Sequence, residues 1–361
     1  MAGDFDEGRK AAPDGDDCRR ASGPPAEMPP AGAGGGGDAA LAARLLALPR
    51  PDRLAAIDWD ESYLRFSLAR LLLRRAEGSL DKSSTEAEEA AELAAAIAAS
   101  LESDAGGEVR RTAAMASWLL GKARLRAVRT AGTKLQDAAE AFARMSAFVS
   151  TDQPSWERAL AAYGLAQVRW KQRRHPEGGA LFAAAALMFA RVAAEEPMTA
   201  CHVQHGLLLL GTGERMLARL ELGKALRRLD AAVAPTLAAL TAVGLASCEA
   251  SAGRAGEAAA RLATAKAVWR RLPAQTPARA AMPRPWRELL GAADDPGETG
   301  AAATSAAPLH DGALLALLAA PPWRESYPSA VVTLADRLLL GRAEDEPAAG
   351  VAAGTAAEDS D

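Results

Sequence analysis

An all-α fold is predicted for this chain of 361 residues, and three features of its sequence predict it. The apolar residues, 49 % of the total, are dominated by Ala and Leu, the strongest helix formers, whereas aromatic residues make up only 4 %. Val, Ile, Tyr and Phe nowhere gather into alternating runs of strand length, which leaves helix-on-helix packing as the architecture. Helical hairpins also recur at a fixed spacing through the middle of the chain, the mark of a repeat fold.

The formal net charge of −4 argues against a generic nucleic-acid binder, which carries a basic face to attract phosphates. Cys18, Cys201 and Cys248 are odd in number and far apart, a poor basis for a disulfide framework and a better fit to a reducing compartment. The opening MAGDFDEGRKAAPDGDD is acidic and lacks the basic-then-apolar pattern of a signal peptide, and no apolar run reaches the length of a membrane span. A cytoplasmic protein with neither nucleic acid nor membrane as partner is expected.

The chain divides by composition. Residues 1–38, rich in Gly, Pro and Asp, are expected to be a disordered tail. Gly32, Gly34 and Gly37 have a G-x-G-x-x-G spacing there, but no strand precedes them to aim amides at a pyrophosphate. Residues 39–105 read as a divergent helical hairpin, with Pro49 and Pro51 breaking an opening helix and Ser84 and Thr85 opening another. Residues 106–275 hold about four repeat units, 276–308 a short helix and flexible linker, 309–343 C-terminal helices that cap the array or bind a partner, and 344–361 a disordered acidic tail.

The repeat has a period of 40 residues. Phe142, Phe182, Leu222 and Leu262 stand in register on the second helix of each unit, preceded by four residues by Ala138, Gly178, Ala218 and Ala258 and followed by three by Met145, Ala185, Ala225 and Ala265. The spacing i, i+4, i+7 places them on one helix face, where a small side chain permits close approach and a large one fills the adjacent gap. The first helices repeat Ala166, Gly206 and Ala246, and Gly121 is the corresponding small residue of the preceding unit. Gly213 and Gly253 mark turns, and the unit around His175 has RRHPEGG instead.

In this order of small, turn Gly, small, aromatic or Leu, then Ala, the chain resembles the tetratricopeptide repeat (TPR) superfamily, most closely over GLLLLGTGERMLARLELGKAL, residues 206–226. The resemblance covers about residues 108–272 and is to the bacterial type with lengthened repeats, 40 residues where 34 is usual. It implies an α-solenoid of antiparallel hairpins wound as a right-handed superhelix, whose first helices line a groove that binds peptides or protein partners. On that geometry Trp118, Lys122 and Arg126, then Tyr163, Gln167, Trp170 and Lys171, face the groove. Cations there could pair with carboxylates beside flat aromatic area, so an acidic or C-terminal-carboxylate peptide is the expected ligand. The alternative is that the aromatics plug gaps between repeats and the cations are merely solvated. Farther along, the matching face is Val203, Leu207 and Leu210, then Val243 and Ser247, an apolar stretch to be covered by a ligand helix or by the chain's own C-terminal helices.

No catalytic pattern competes with this. Cys201, His202 and His205 form CHVQH but lack further ligands nearby in sequence, and are read as packing residues. Cys248 is read as a core residue, and EAEEAAE at 86–92 as a solvated helix face. No Walker, G-x-S-x-G or H-E-x-x-H motif is present. The expectation is a noncatalytic scaffold or adaptor without cofactor; the second reading is a ligand-sensing module that controls a separate effector.

Overall fold

A computed structural model describes residues 37–101, 107–127, 133–148, 155–272, 290 and 329–339, and every regular element in them is a helix. The order is α1 (Asp38–Ala47), α2 (Arg50–Trp59), a 3-10 turn (Glu61–Tyr63), α3 (Phe66–Ser79), α4 (Ser84–Ser100), α5 (Gly107–Ala127), α6 (Thr133–Ala147), α7 (Trp156–Lys171), α8 (His175–Arg191), α9 (Glu195–Thr212), α10 (Arg215–Leu226), α11 (Pro235–Ser251), α12 (Ala255–Arg271) and α13 (Ser329–Leu339). The fold is all-α. The expected tails, the linker 276–308 and the apolar LHDGALLALLAA at 309–320 lie outside the described residues, apart from Gly37, Asp38 and Leu290.

Local chemistry sets the boundaries. Pro49 does not break a helix so much as separate two, since it caps α2 with Pro51 inside the first turn. Ser83, one residue before the expected cap, accepts a hydrogen bond from the Glu86 amide, and Ser155 accepts one from Arg158. Four helices end alike. Arg173, Ala193, Gly213 and Gly253 have φ of 62°, 55°, 89° and 73°, and the amide after each bonds back to a carbonyl five residues earlier, closing α7, α8, α9 and α11. Arg173, Gly213 and Gly253 are 40 residues apart, so RRHPEGG makes the same turn with a residue that strains in it. Arg173 is exposed. Arg173→Gly is expected to stabilise the fold by about 0.5–1 kcal/mol, read as a higher urea midpoint; glycine's extra freedom in the unfolded chain offsets some of the relieved strain.

From α3 to α12 each helix packs on the next, and α3 also touches α5, α5 touches α7, and α9 touches α11. The odd-numbered helices thus form one layer and the even-numbered ones cover it. Every residue of the 40-residue register on α6, α8, α10 and α12 is buried, as are Gly121, Ala166, Gly206 and Ala246. Two further glycines join them. A Cβ on Gly121 or Gly164 would lie within 2.7 or 2.4 Å of the Phe142 ring, and one on Gly206 or Gly244 within 2.6 or 2.9 Å of Leu222. Each large residue of α6 and α10 is therefore seated between two bare backbones. Phe182 packs differently, edge-on to Tyr163 and Trp170 at centroid distances of 5.8 and 6.2 Å.

The acidic run of α4 is not the solvated face its sequence suggests. Glu88 is buried and pairs with Arg50 at 3.2 Å and Arg124 at 3.3 Å, Glu92 meets the same two arginines at 3.4 Å, and Glu89 meets Arg53 at 2.9 Å. Arginine forks from α2 and α5 converge on one face of α4, and this shared contact draws the carboxylates in. A similar clasp holds buried Glu249 at the end of α11 between Arg219 of α10, at 2.7 Å, and Arg254 before α12.

Candidate functional site

The layer of odd-numbered helices does not lie open. α13 packs across α9 and α11, so the chain's own C-terminal helix covers the apolar stretch, and Val203, Leu207, Leu210, Val243 and Ser247 are all buried. Val332, Leu334, Ala335, Asp336, Leu338 and Leu339 of α13 are buried with them. The spacing 332, 335, 336, 339 is one helix face, and it carries a single charge.

That charge meets three of the residues expected to face the groove. Tyr163 donates its hydroxyl to Asp336 Oδ1 at 3.0 Å, Gln167 Nε2 donates to the same oxygen at 3.0 Å, and Lys122 Nζ lies 2.5 Å from Asp336 Oδ2. Lys122 also donates to Gln167 Oε1 at 2.6 Å, Gln167 Nε2 to Gln204 Oε1 at 3.0 Å, and Gln204 Nε2 to the Tyr163 hydroxyl at 2.5 Å. The amide and phenol groups close on one another, so the side-chain polar atoms of Tyr163, Gln167 and Gln204 find partners inside. Lys122 is 1 % exposed; burial pulls its ammonium down to about 8, with Asp336 opposing that pull. Its Nζ also stands 5.9 Å from the centre of the Trp118 ring.

The other expected groove residues divide. Trp118 is fully buried beneath Lys122 and offers no surface to a ligand. Arg126 sits at the edge, bonded to the Leu80 carbonyl at 2.8 Å and Asp81 at 2.6 Å, with Asp336 Oδ2 3.9 Å away. Trp170 packs inside the α7–α8 hairpin on Phe182, and Lys171 donates to the Leu125 carbonyl at 2.7 Å, tying α7 to α5. For these two the contacts are those of structural packing, to Phe182 of α8 and to the Leu125 carbonyl of α5. Gln204 and Asp336 were not among the expected residues. Neither stands out in the sequence, since Gln204 is followed by His205 in CHVQH and Asp336 by Arg337.

In CHVQH, Cys201 is buried in the core, its thiol pushed well up by burial, while both imidazoles turn to Glu221 of α10. His202 Nδ1 donates to Glu221 Oε2 at 2.7 Å, His205 Nδ1 lies 3.6 Å from it, and Lys224 donates to Oε1 at 2.6 Å. Among the described residues no group of three or more His, Cys, Asp or Glu is arranged to hold a metal ion. Cys248 is buried too, and burial raises its thiol to about 11. Burial by itself would raise Glu221, but the hydrogen bonds from His202 and Lys224, with His205 close by, outweigh it and hold its carboxyl well below the usual 4.5. A depressed carboxyl stabilises the fold above its unfolded pKa and loses that contribution as pH falls through the folded one. The melting temperature of the wild type should therefore fall faster below about pH 4.5 than that of Glu221→Gln; parallel acid limbs would show the contact to be inert.

No family model matches this chain, and no curated protein does. Among solved structures, the crystal structure of BtubC (BKLC) from P. vanneervenii is similar at a TM-score of 0.44 and 21 % identity, over 63 % of this chain and 85 % of that one. A likeness of that size assigns neither fold nor function. Among the described residues no helix is long and apolar enough to cross a membrane.

Proposed function

We propose that the chain is a noncatalytic protein-interaction module, a TPR-like α-solenoid whose first-helix face takes a helical segment bearing a carboxylate. One observation carries the reading: Lys122, Tyr163 and Gln167, from two successive repeat units, enclose a single carboxylate presented by a helix. Recurrence of small, large and turn residues every 40 positions supports the solenoid, since stacked units of one kind bury a continuous core and leave one long face for binding. An adaptor needs no more than such a face.

A photo-crosslinking residue placed at Arg126, at the edge of the groove and 21 % exposed along its side chain, tests the reading in cells of the source organism. A discrete crosslinked protein is expected from position 126 and not from the exposed position Arg228 on the covering layer. Identical products from both positions, or none from 126, would sink it. The second reading, a module that senses a signal and controls an effector, gains from the groove being occupied, because an occupied site can be switched.

A further inference from the structure

We infer that α13 is a tethered stand-in for the module's partner, and that the partner is an amphipathic helix presenting an aspartate to Lys122, Tyr163 and Gln167. The inference rests on the interaction-module reading and adds what the groove recognises. From α3 to α12 every helix packs on its neighbours in sequence, whereas α13 enters from beyond residues 273–328 and lies across α9 and α11. Its buried face defines the pattern: an aliphatic residue four before the aspartate (Val332), Ala335 directly before it, and Leu338 and Leu339 two and three after. Alanine beside the acid keeps the two backbones close, and the aliphatic residues match the apolar Val203, Leu207 and Val243 of the covered layer.

The polar centre is built for selection more than for strength. A buried ion pair gains little net stability, because desolvation consumes most of its Coulomb energy, yet a helix with no carboxylate at that position leaves Lys122 buried and unpaired. The site thus discriminates one register of one class of helix. A ligand carried on the same chain is held at an effective concentration on the order of millimolar. An outside helix limited to the same contacts would lose to α13 at cellular concentrations, so the true partner makes contacts beyond the 11 residues of α13.

The test uses the full-length chain and a fluorescent synthetic peptide of residues 325–343, followed by anisotropy. Asp336→Lys sets a second cation against Lys122 and frees the groove; Asp336→Asn is the milder variant if the first fails to fold by circular dichroism. The peptide should bind the Asp336→Lys chain at least about 100-fold more tightly than the wild type, and a peptide carrying Asp336→Asn should bind the opened chain at least about tenfold more weakly. Equal binding to wild type and variant would overturn the tethered ligand while leaving the groove as a binding face. Absence of binding to a folded, opened chain would overturn the aspartate-bearing helix and leave the module reading to the crosslinking experiment. Light scattering that gives a dimer for the wild type and a monomer for Asp336→Lys would assign the occupant to a second copy and overturn an outside partner.

Discussion

Gly164→Ala is expected to destabilise the fold by about 2 kcal/mol, although alanine is the better helix former. The added methyl would stand 2.4 Å from Phe142 Cδ1 and Cε1, and the ring cannot retreat, because Gly121 backs it on the other side with virtual Cβ contacts of 2.7–2.9 Å. Overpacking a closed core costs up to about 3 kcal/mol, and replacing glycine inside a helix returns roughly 1 kcal/mol. Urea unfolding of the single variant and of Gly164→Ala/Phe142→Leu reads the coupling directly. Leucine fills the equivalent seat at position 222 between Gly206 and Gly244, so the double variant should lose less than the two single changes add up to, by at least about 1 kcal/mol. Strict additivity would mean that Phe142 is not held by its glycines.

The same glycines show how far the sequence could be read. The register on the second helices is legible because each unit repeats one steric problem, a large residue entering a gap beside a small one, and local periodicity records it. Gly164 and Gly244 stand two periods apart with Gln204 between them, and that break hides them. The break has a cause: beside α8 the gap is filled by Phe182 lying edge-on to Tyr163 and Trp170, and position 204 supplies an amide to the polar network instead. That Lys122, Tyr163 and Gln167 lie together was legible, because the repeat resemblance puts the first helices side by side and these residues on one face of them. Their common partner was not, because Asp336 reaches them from a helix more than 160 positions along the chain, with separations of 173 from Tyr163 and 169 from Gln167. Trp170 and Lys171 share the residue types of the groove set, and their packing on Phe182 and on the Leu125 carbonyl depends on neighbours that the local pattern does not reveal. The acidic face of α4 was misread for a like reason, since Arg50 and Arg124 are distant in sequence.

Lys122→Met should have the other large effect, confined to α13. Methionine keeps much of the lysine stem's volume but leaves Asp336 Oδ2 with only the more distant Arg126, at 3.9 Å, and Gln167 Oε1 without its donor. Breaking a buried pair on one side costs about 3–5 kcal/mol, because the remaining charge stays desolvated. The chain can avoid that cost by releasing α13 to water, so the loss is capped at the free energy of docking and global stability is spared. Amide hydrogen exchange in residues 329–339 should then quicken by roughly 100- to 5,000-fold, or by less if docking itself is worth less, while α7 and α8 keep their protection. Lys122→Met/Asp336→Leu removes both charges and should return α13 to its place, docked within about 1 kcal/mol of the wild type or more firmly, because the Coulomb attraction lost with a buried pair is offset by the desolvation that no longer has to be overcome. If the single variant instead unfolds α7 and α8 together with α13, the pair is fixed in the core and α13 does not dock as a separable unit. If the double variant remains undocked, the aspartate and its polar cage carry the docking energy itself, and the apolar face of α13 does not suffice to hold it.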